Sequence, residues 1–299
     1  MISTRHDVFM TVAQQKSFSK ASQVLYISQP AISKHIKSLE EYYKTKLFDR
    51  KGMLIELTAA GKILLEKLLE VKRIEEQAEF DISTLKDVLQ AKGFLKLGAS
   101  STVALYILPK ILSAFNQHYP LVNINSLNRN SELIIDALLN QDINIGIIEG
   151  KVKLNQVDYQ SFLTDNVIAV CSSKSPIAKK KYYTLKDLVT MPLAFRERGS
   201  GTLTALKNAL EKNKIKMSDL DIKVRLGGTE SLKNFLIESD MLGFLPQRSI
   251  IKELQYGELS EVHFEGLDIQ RNFYFVQRKG ENSDLNKSFI KMAQKIYNV

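Results

Sequence analysis

Two groups of residues in this sequence have the types and spacing to bind something. The first lies within residues 28–43, SQPAISKHIKSLEEYY. At helical spacing, Ile32, Ile36, Leu39 and Tyr43 fall on one stripe, and Pro30, Ser33, Lys34, Lys37 and Glu41 fall on the other side. Ser28, Gln29, Pro30, Ser33 and Lys34 crowd the N-terminal end, where short hydroxyl, amide and cationic groups suit base edges and phosphates in a DNA major groove. Lys37 extends the cationic face, and Arg50 and Lys51 form a later basic tip. Solvated surface helices show the same pattern, so this stretch alone leaves both readings open.

The second group sits where strand-like runs end in hydroxyl and glycine residues: GASST at 98–102, RERGSGT at 196–202 and GGTES at 227–231. Helices starting there would offer unpaired N–H groups and a positive dipole end to a carboxylate, a sulfur oxyanion or a phosphate. Thr102, together with Ser200, Gly201 and Thr202, makes the preferred contact set for a small anion, with Arg196 or Arg198 supplying charge. Ser100, Ser101 and Thr229 come next. Ordinary capping explains any one of these loops. Their coincidence at the C-terminal ends of strands, where open α/β sheets bind ligands, favours a site. Glu149 and Glu230 would instead suit an amino-bearing or cationic ligand, and the sequence does not fix the sign.

Catalytic signatures are missing from these stretches. GSGT lacks the spacing of a nucleophile elbow, and there is no Walker lysine, HExxH or dinucleotide fingerprint, so no catalytic residue is assigned. The histidines, His6, His35, His118 and His263, are scattered, and the single Cys171 excludes an internal disulfide, so neither a metal site nor a cofactor is expected. Cys171, in the apolar run VIAVC, reads as a buried strand thiol. The net charge of +9, with a clearly basic stretch up to Lys51, fits a polyanionic partner. The run KKKYY at 179–183 reads as a solvated loop. No apolar run approaches a membrane span and no signal-peptide pattern opens the chain, so a cytoplasmic protein away from the membrane is expected.

The elements that must position these residues follow in order. Residues 4–7 match a capping box, and Val8, Phe9, Val12 and Ala13 give a helical stripe. Ser17 is a good N-cap for a second helix with Ala21, Val24 and Leu25 inward, followed by a tight turn at Tyr26 and Ile27. Pro30 is tolerated in the first turn of the third helix, whose N–H groups lack partners anyway. Two helices, a turn and a polar-faced helix make a helix-turn-helix. KLFDRKGMLIELT at 46–58 then reads as two short strands around Arg50, Lys51 and Gly52, a wing able to reach phosphates. Thr58 can cap a helix running to about residue 90. Leu64, Leu68, Val71, Ile74, Ala78, Ile82, Leu85 and Leu89 make a coiled-coil-like seam along it. At roughly 45 to 50 Å, such a helix is too long to bury its stripe on the small N-terminal domain, which leaves packing on its own chain or on a second copy.

The stretch from Ser17 to Gly61 resembles the winged helix-turn-helix of LysR-type transcriptional regulators. The matching residues are Ser17 and Phe18, Ala21, Leu25, the run Ser28, Gln29, Pro30 and Ala31, then Ser33, Leu39, Glu40, Leu47, Phe48, Arg50, Leu57, Thr58 and Gly61. Ser22 stands where that family usually has Ala, and Lys44 where it often has Gly. The resemblance implies binding to double-stranded DNA at an inverted repeat, as a homodimer or homotetramer paired through the long helix.

From Gly93 onward the pattern changes to alternating strands and helices. FLKLGAS, LVNINSLN, INIGIIE, NVIAVCSS, PLAFRE, DIKVRL, MLGFLP and NFYFVQRK read as strands, with a helix expected over 102–118 among others. This order resembles the two-lobed effector domain of the same family, similar in fold to periplasmic binding proteins. The expected organisation is a DNA-binding domain at 1–58, a linker helix at 59–92 and an α/β effector domain at 93–299. Its first lobe would span 93–163 and 268–299, and its second 164–267. RERGSGT also resembles the corresponding stretch in regulators of sulfur and carbon assimilation, although Leu203 stands where an Arg usually follows. The competing expectation is a small-molecule binding or metabolic protein whose helical N-terminus serves assembly.

Overall fold

The computed structural model describes the chain except residues 1, 52–53, 87–90, 152–153 and 282, and the side chains of residues 50, 51, 54 and 86. It forms two compact units, Met1–Ile82 and Ser83–Val299.

In the first unit, α1 (Thr4–Gln15), α2 (Phe18–Leu25) and α3 (Gln29–Tyr43) precede the hairpin β1 (Phe48–Lys51) and β2 (Leu54–Leu57). Ser17 and Ser28 cap α2 and α3, each hydroxyl accepting from the backbone N–H three residues on, at Lys20 and Ala31. The Ser17 cap matches expectation. The residues 4–7 box does not form: Ser3 occupies the N-cap position without a side-chain cap bond, and its hydroxyl meets His6 Nδ1 instead. Phe9 and Phe18 both pack against Phe48, tilted and edge-on respectively, in a core shared with Ile32, Ile36 and Leu39. Two expected inward residues face out, Val24 at 52% exposure and Tyr43 at 40%. Both lie at the margins of stripes wider than so small a core can cover.

α4 (Ala59–Lys86) begins at Thr58, whose hydroxyl accepts from the Gly61 N–H at 3.0 Å and donates to Lys46 O at 2.7 Å. A Cβ on Gly61 would lie 2.1 Å from Leu47 O, so only glycine lets the helix start this close to the hairpin. Leu64, Leu65, Leu68 and Leu69 pack on the N-terminal core. Val71, Ile74, Ile82 and Leu85 of the expected seam are exposed. Leu89 lies outside the described residues.

The second unit opens with β3 (Gly93–Ser100), α5 (Ser101–Tyr106), α6 (Leu108–His118), β4 (Val122–Arg129), α7 (Ser131–Leu139) and β5 (Ile145–Glu149). The single helix expected over 102–118 is thus two. Pro109 has no N–H to donate to the carbonyl four residues back and its ring crowds that turn, so α5 stops at Tyr106 and α6 restarts at Leu108 with Pro109 in its first turn. β6 (Val157–Ser172), β7 (Tyr182–Tyr183), α8 (Leu185–Thr190), β8 (Leu193–Arg196), α9 (Gly201–Lys212) and β9 (Ile222–Leu226) follow. The chain ends in α10 (Thr229–Ile237), β10 (Leu242–Pro246), α11 (Ile251–Gln255), β11 (Leu259–Phe264), β12 (Gln270–Arg278) and α12 (Asp284–Tyr297).

One sheet path, β4-β3-β5-β12-β6-β10-β8-β9, carries both lobes. β3 runs parallel to β4 and β5, while β8 runs parallel to β9 and β10. β6 joins the halves: through Asn166 it pairs with β12, and from Val167 it pairs with β10. The second lobe has its own core around Phe195, Leu206, Leu210 and Phe244, which also encloses Cys171. Desolvation, with a smaller contribution from Asp240, pushes that thiol up to about 11.

Candidate functional site

The two candidate regions lie in different units. In the first, α3 presents Ser28, Gln29, Pro30, Lys34 and Lys37 to solvent, with Ser33 half-buried. Ser19 Oγ donates to Gln29 Oε1 at 3.2 Å, linking α2 to the start of α3. Lys37 lies 3.8 Å from Glu41, one turn on, an exposed pair that solvent screens. Ser33 and Lys37 border a depression of about 380 Å³ that Phe18, Glu40 and Lys46 also line. Arg50 and Lys51 lie on β1, but their side chains fall outside the described part.

In the second unit, the loops after β3, β8 and β9 come together, as their positions at strand ends require. Ser100, Ser101, Thr102, Arg196, Ser200, Gly201, Thr202 and Thr229 are all buried. Arg198 is not among them: its side chain is exposed, and only its backbone O takes part, accepting from Asn130 Nδ2. The loop turns outward at Gly199, whose φ of +83° belongs to the left-handed region.

Two carboxylates dominate the geometry: Glu149, which the sequence suggested as a partner for an amino-bearing ligand, and Asp165, which it did not single out. Glu149, at the end of β5, accepts from Ser100 Oγ at 3.2 Å, Thr202 Oγ1 at 3.3 Å and Arg271 Nη1 at 2.5 Å. Arg271 also reaches Thr202 Oγ1 at 2.8 Å and Asp165 Oδ2 at 2.8 Å. Asp165 in turn accepts from Arg248 Nε at 3.1 Å. Side chains of Glu149 and Asp165 are each 3% exposed and that of Arg271 2%. A Cβ on Gly201 would lie 2.2 Å from Glu149 Cβ, so glycine is what lets α9 of one lobe meet β5 of the other.

Glu197 holds Arg196 in a two-pronged pair, Nε to Oε2 at 2.7 Å and Nη2 to Oε1 at 2.9 Å. Of the other three N–H donors, one goes to Thr229 Oγ1 at 2.8 Å and one across the cleft to Ser101 Oγ at 3.5 Å. Burial alone would raise the Glu197 pKa. The Arg196 hydrogen bonds and charge outweigh it, helped by the Gly228 N–H, and hold the carboxyl below its usual range. Pairing with Arg196 therefore stabilises the fold above the ordinary carboxylate pKa, and that contribution is lost as pH falls through the lowered one.

A third contact across the cleft joins Tyr106 OH to Glu230, which also pairs with Lys233 at 3.0 Å. Burial lowers the Lys233 pKa, but Glu253 and Glu230 more than offset this and raise it overall.

The cleft is therefore balanced from within, Arg196, Arg248 and Arg271 against Glu149, Asp165 and Glu197. Thr102 Oγ1 is buried with no hydrogen-bond partner among the described residues. α5, which Thr102 helps to start, has only six residues and a weak dipole, and Ser100 turns its hydroxyl to Glu149 rather than capping it. Beside Glu149 a cavity of about 310 Å³ opens between Ser131, Glu132 and Ile135 on one side and Gly199, Gly201 and Thr204 on the other.

Of the residues that sequence reasoning missed, Arg271 had a signal. It is in phase with Phe273 and Phe275, the inward positions of β12, so an arginine stood where the core face was due. Asp165 had none, because its stretch of β6 is too polar to read as a strand.

The family model for the bacterial regulatory helix-turn-helix of the LysR family matches residues 5–62, and that for the LysR substrate binding domain matches 90–296. The HTH-type transcriptional regulator CysL of Bacillus subtilis is 29% identical over 290 residues, 97% of this chain and 95% of the relative. Among solved structures, the regulatory domain of Synechocystis CcmR in complex with 2-PG superposes with a TM-score of 0.62 at 23% identity, covering 69% of this chain and 97% of that one. Full-length CbnR complexed with its target DNA superposes with a TM-score of 0.67 at 19% identity over 99% of both chains. With both domains matched in order across nearly its whole length, the chain belongs to the LysR family of transcriptional regulators.

Proposed function

We propose that α3 reads DNA and that the cleft between the α/β lobes senses a small, anionic effector. Ser28, Gln29, Pro30, Ser33, Lys34 and Lys37 would meet bases and phosphates, with Arg50 and Lys51 of the wing on the flanking backbone. Effector contacts would come from Ser101, Thr102 and Thr229 around Arg196, with Ser100, Ser200, Gly201 and Thr202 forming the neighbouring wall. The observation that carries this reading is the convergence of buried hydroxyls from both lobes on Arg196, next to the unpartnered Thr102 hydroxyl. Such a constellation gives an effector differential contacts with open and closed lobes, which is what shifts a conformational equilibrium. The exposed apolar residues of α4 suit pairing with a second copy, which would present two α3 helices to an inverted repeat in cytoplasmic DNA.

A gel-shift titration on the promoter region of the neighbouring genes tests both halves. Lys34→Ala should weaken binding and flatten the plot of log affinity against log salt by about 0.9 units, the loss of one phosphate contact. Ser33→Ala should weaken site-selective binding without changing that slope. If both variants bind with wild-type affinity and salt dependence, α3 is not the reader. Oxyanions such as sulfate and malonate should raise the thermal stability of the full chain, and Thr102→Ala should remove the rise. A rise that survives this substitution places the anion elsewhere.

A further inference from the structure

Both buried guanidiniums that face the cleft already hold the protein's own carboxylates, and Arg271 keeps only a single Nε donor without a partner among the described residues, so an anionic group that needs a two-pronged contact has to take one of them over. The two pairs are not equally exchangeable. Glu149 is fixed by Ser100, Thr202 and Arg271, and Arg271 is shared with Asp165. Withdrawing Glu149 would strand buried polar groups in both lobes, which is strongly unfavourable. Glu197 differs on each count. Its side chain is 27% exposed, it belongs to a loop rather than a strand, and besides Arg196 its carboxylate accepts from the Gly228 N–H at 3.2 Å. A rotation about its side-chain bonds would carry it into water, whereas Arg196, 3% exposed and tied to Thr229, stays in place.

We infer that Glu197 is an internal stand-in for the effector's anionic group: it occupies the Nε and Nη2 donors of Arg196 in the free protein, and the effector binds by displacing it. This rests on the cleft being the effector site and adds to it the seat, the exchange and the ligand chemistry. The exchange replaces one anionic group with another on the same guanidinium, so Arg196 is not left buried without a counter-charge. It selects an anion with two oxygens spaced to match one edge of a guanidinium, as in a carboxylate, sulfate or phosphate group. A further acceptor on the ligand can satisfy the Thr102 hydroxyl one residue from Ser101. Effector affinity is thereby set by competition, and Glu197 tunes the threshold at which the regulator responds.

The test is titration of the full-length protein with sulfate and with malonate, read by calorimetry and by thermal shift. Glu197→Gln keeps the shape and the acceptor for Gly228 but gives up the charge. It should bind both anions about tenfold more tightly than wild type, the exchange no longer opposed by a charge-assisted pair. Glu197→Asp keeps the charge but, one methylene shorter, does not reach both donors from the same backbone position, and it should tighten binding in the same direction by a smaller factor. Tightening in both variants supports the exchange. Tightening in Glu197→Gln alone would reduce the effect to a general change of field, and no tightening in either would overturn it. If wild type binds the anions and Thr102→Ala abolishes binding while both Glu197 variants behave as wild type, only this inference falls. If neither wild type nor the Glu197 variants bind either anion while DNA binding persists, the anion-cleft reading falls with it.

Discussion

In the N-terminal unit, Phe9, Phe18, Ile32, Leu39 and Phe48 form an apolar core, and among the described residues of α1–α3 and the β1–β2 hairpin no charged side chain is buried. The α/β unit has apolar cores too, yet where its lobes meet it buries Glu149, Asp165, Arg196 and Arg271. A reader of DNA needs its polar groups free at the surface, set by a rigid scaffold. A cleft that opens and closes needs contacts that are strong when made and can be remade with a ligand. Buried ion pairs serve that purpose because their net contribution to stability is small while the penalty for removing one partner is large. The same residue types are thus placed in opposite ways, at the surface in one unit and in buried pairs where the lobes meet in the other.

Replacing Arg271 with Met should break this contrast most severely. It would leave Glu149 and Asp165 buried without their shared cation, a loss of about 3–5 kcal/mol in the α/β unit. Urea unfolding followed by tryptophan-free probes such as circular dichroism would show an early transition for that unit, with the N-terminal unit unfolding as before. A loss below about 1 kcal/mol would mean that the network relaxes onto water, and that the lobes are held by other contacts.

What could be read from the sequence divides along the same line. The caps at Ser17, Ser28 and Thr58 and the inward residues Ile32, Ile36 and Leu39 follow from rules that act within a few residues. The loops around Ser100, Arg196 and Thr229 were also legible, because strand-to-helix transitions with glycine and hydroxyl residues are local signals. Their partners were not. Glu149 and Arg271 are 122 residues apart in the chain, and Asp165 and Arg271 are 106 apart, so only the sheet topology brings them together. The first half of β6, with its charged and amide residues, hid the strand on which Asp165 lies. Glu197 was visible next to Arg196, but adjacent opposite charges in a loop are ordinarily both solvated. The break between α5 and α6, where one helix was expected over 102–118, had a local signal in Pro109 that went unused.

In the N-terminal unit the expected effects are smaller, as local interactions dictate. Ser28→Ala removes the acceptor for the Ala31 N–H and should destabilise the unit by about 1 kcal/mol. Because Ser28 also lies at the proposed DNA face, its affinity should fall by more than this stability loss explains, which comparison of thermal unfolding with gel-shift titration would reveal. Equal, small effects in both measurements would make Ser28 a cap and nothing more.

The smallest effect should be a gain. Lys44 ends α3 in the left-handed region, with φ 52° and ψ 33°, and its N–H and that of Thr45 close the helix on Glu41 O and Glu40 O. This closure is made by the backbone, so the side chain contributes only the steric penalty of a Cβ in that conformation. Lys44→Gly removes the penalty but also frees the unfolded chain, so the net stabilisation should be no more than about 1 kcal/mol. The lysine is exposed and lies at the opposite end of α3 from Ser28 and Lys34, so the affinity for DNA and its salt dependence should not change. If the variant instead loses affinity and its salt slope falls by about one unit, Lys44 touches a phosphate. The strained lysine would then be held there for binding, and the surface that reads DNA would run the whole length of the helix.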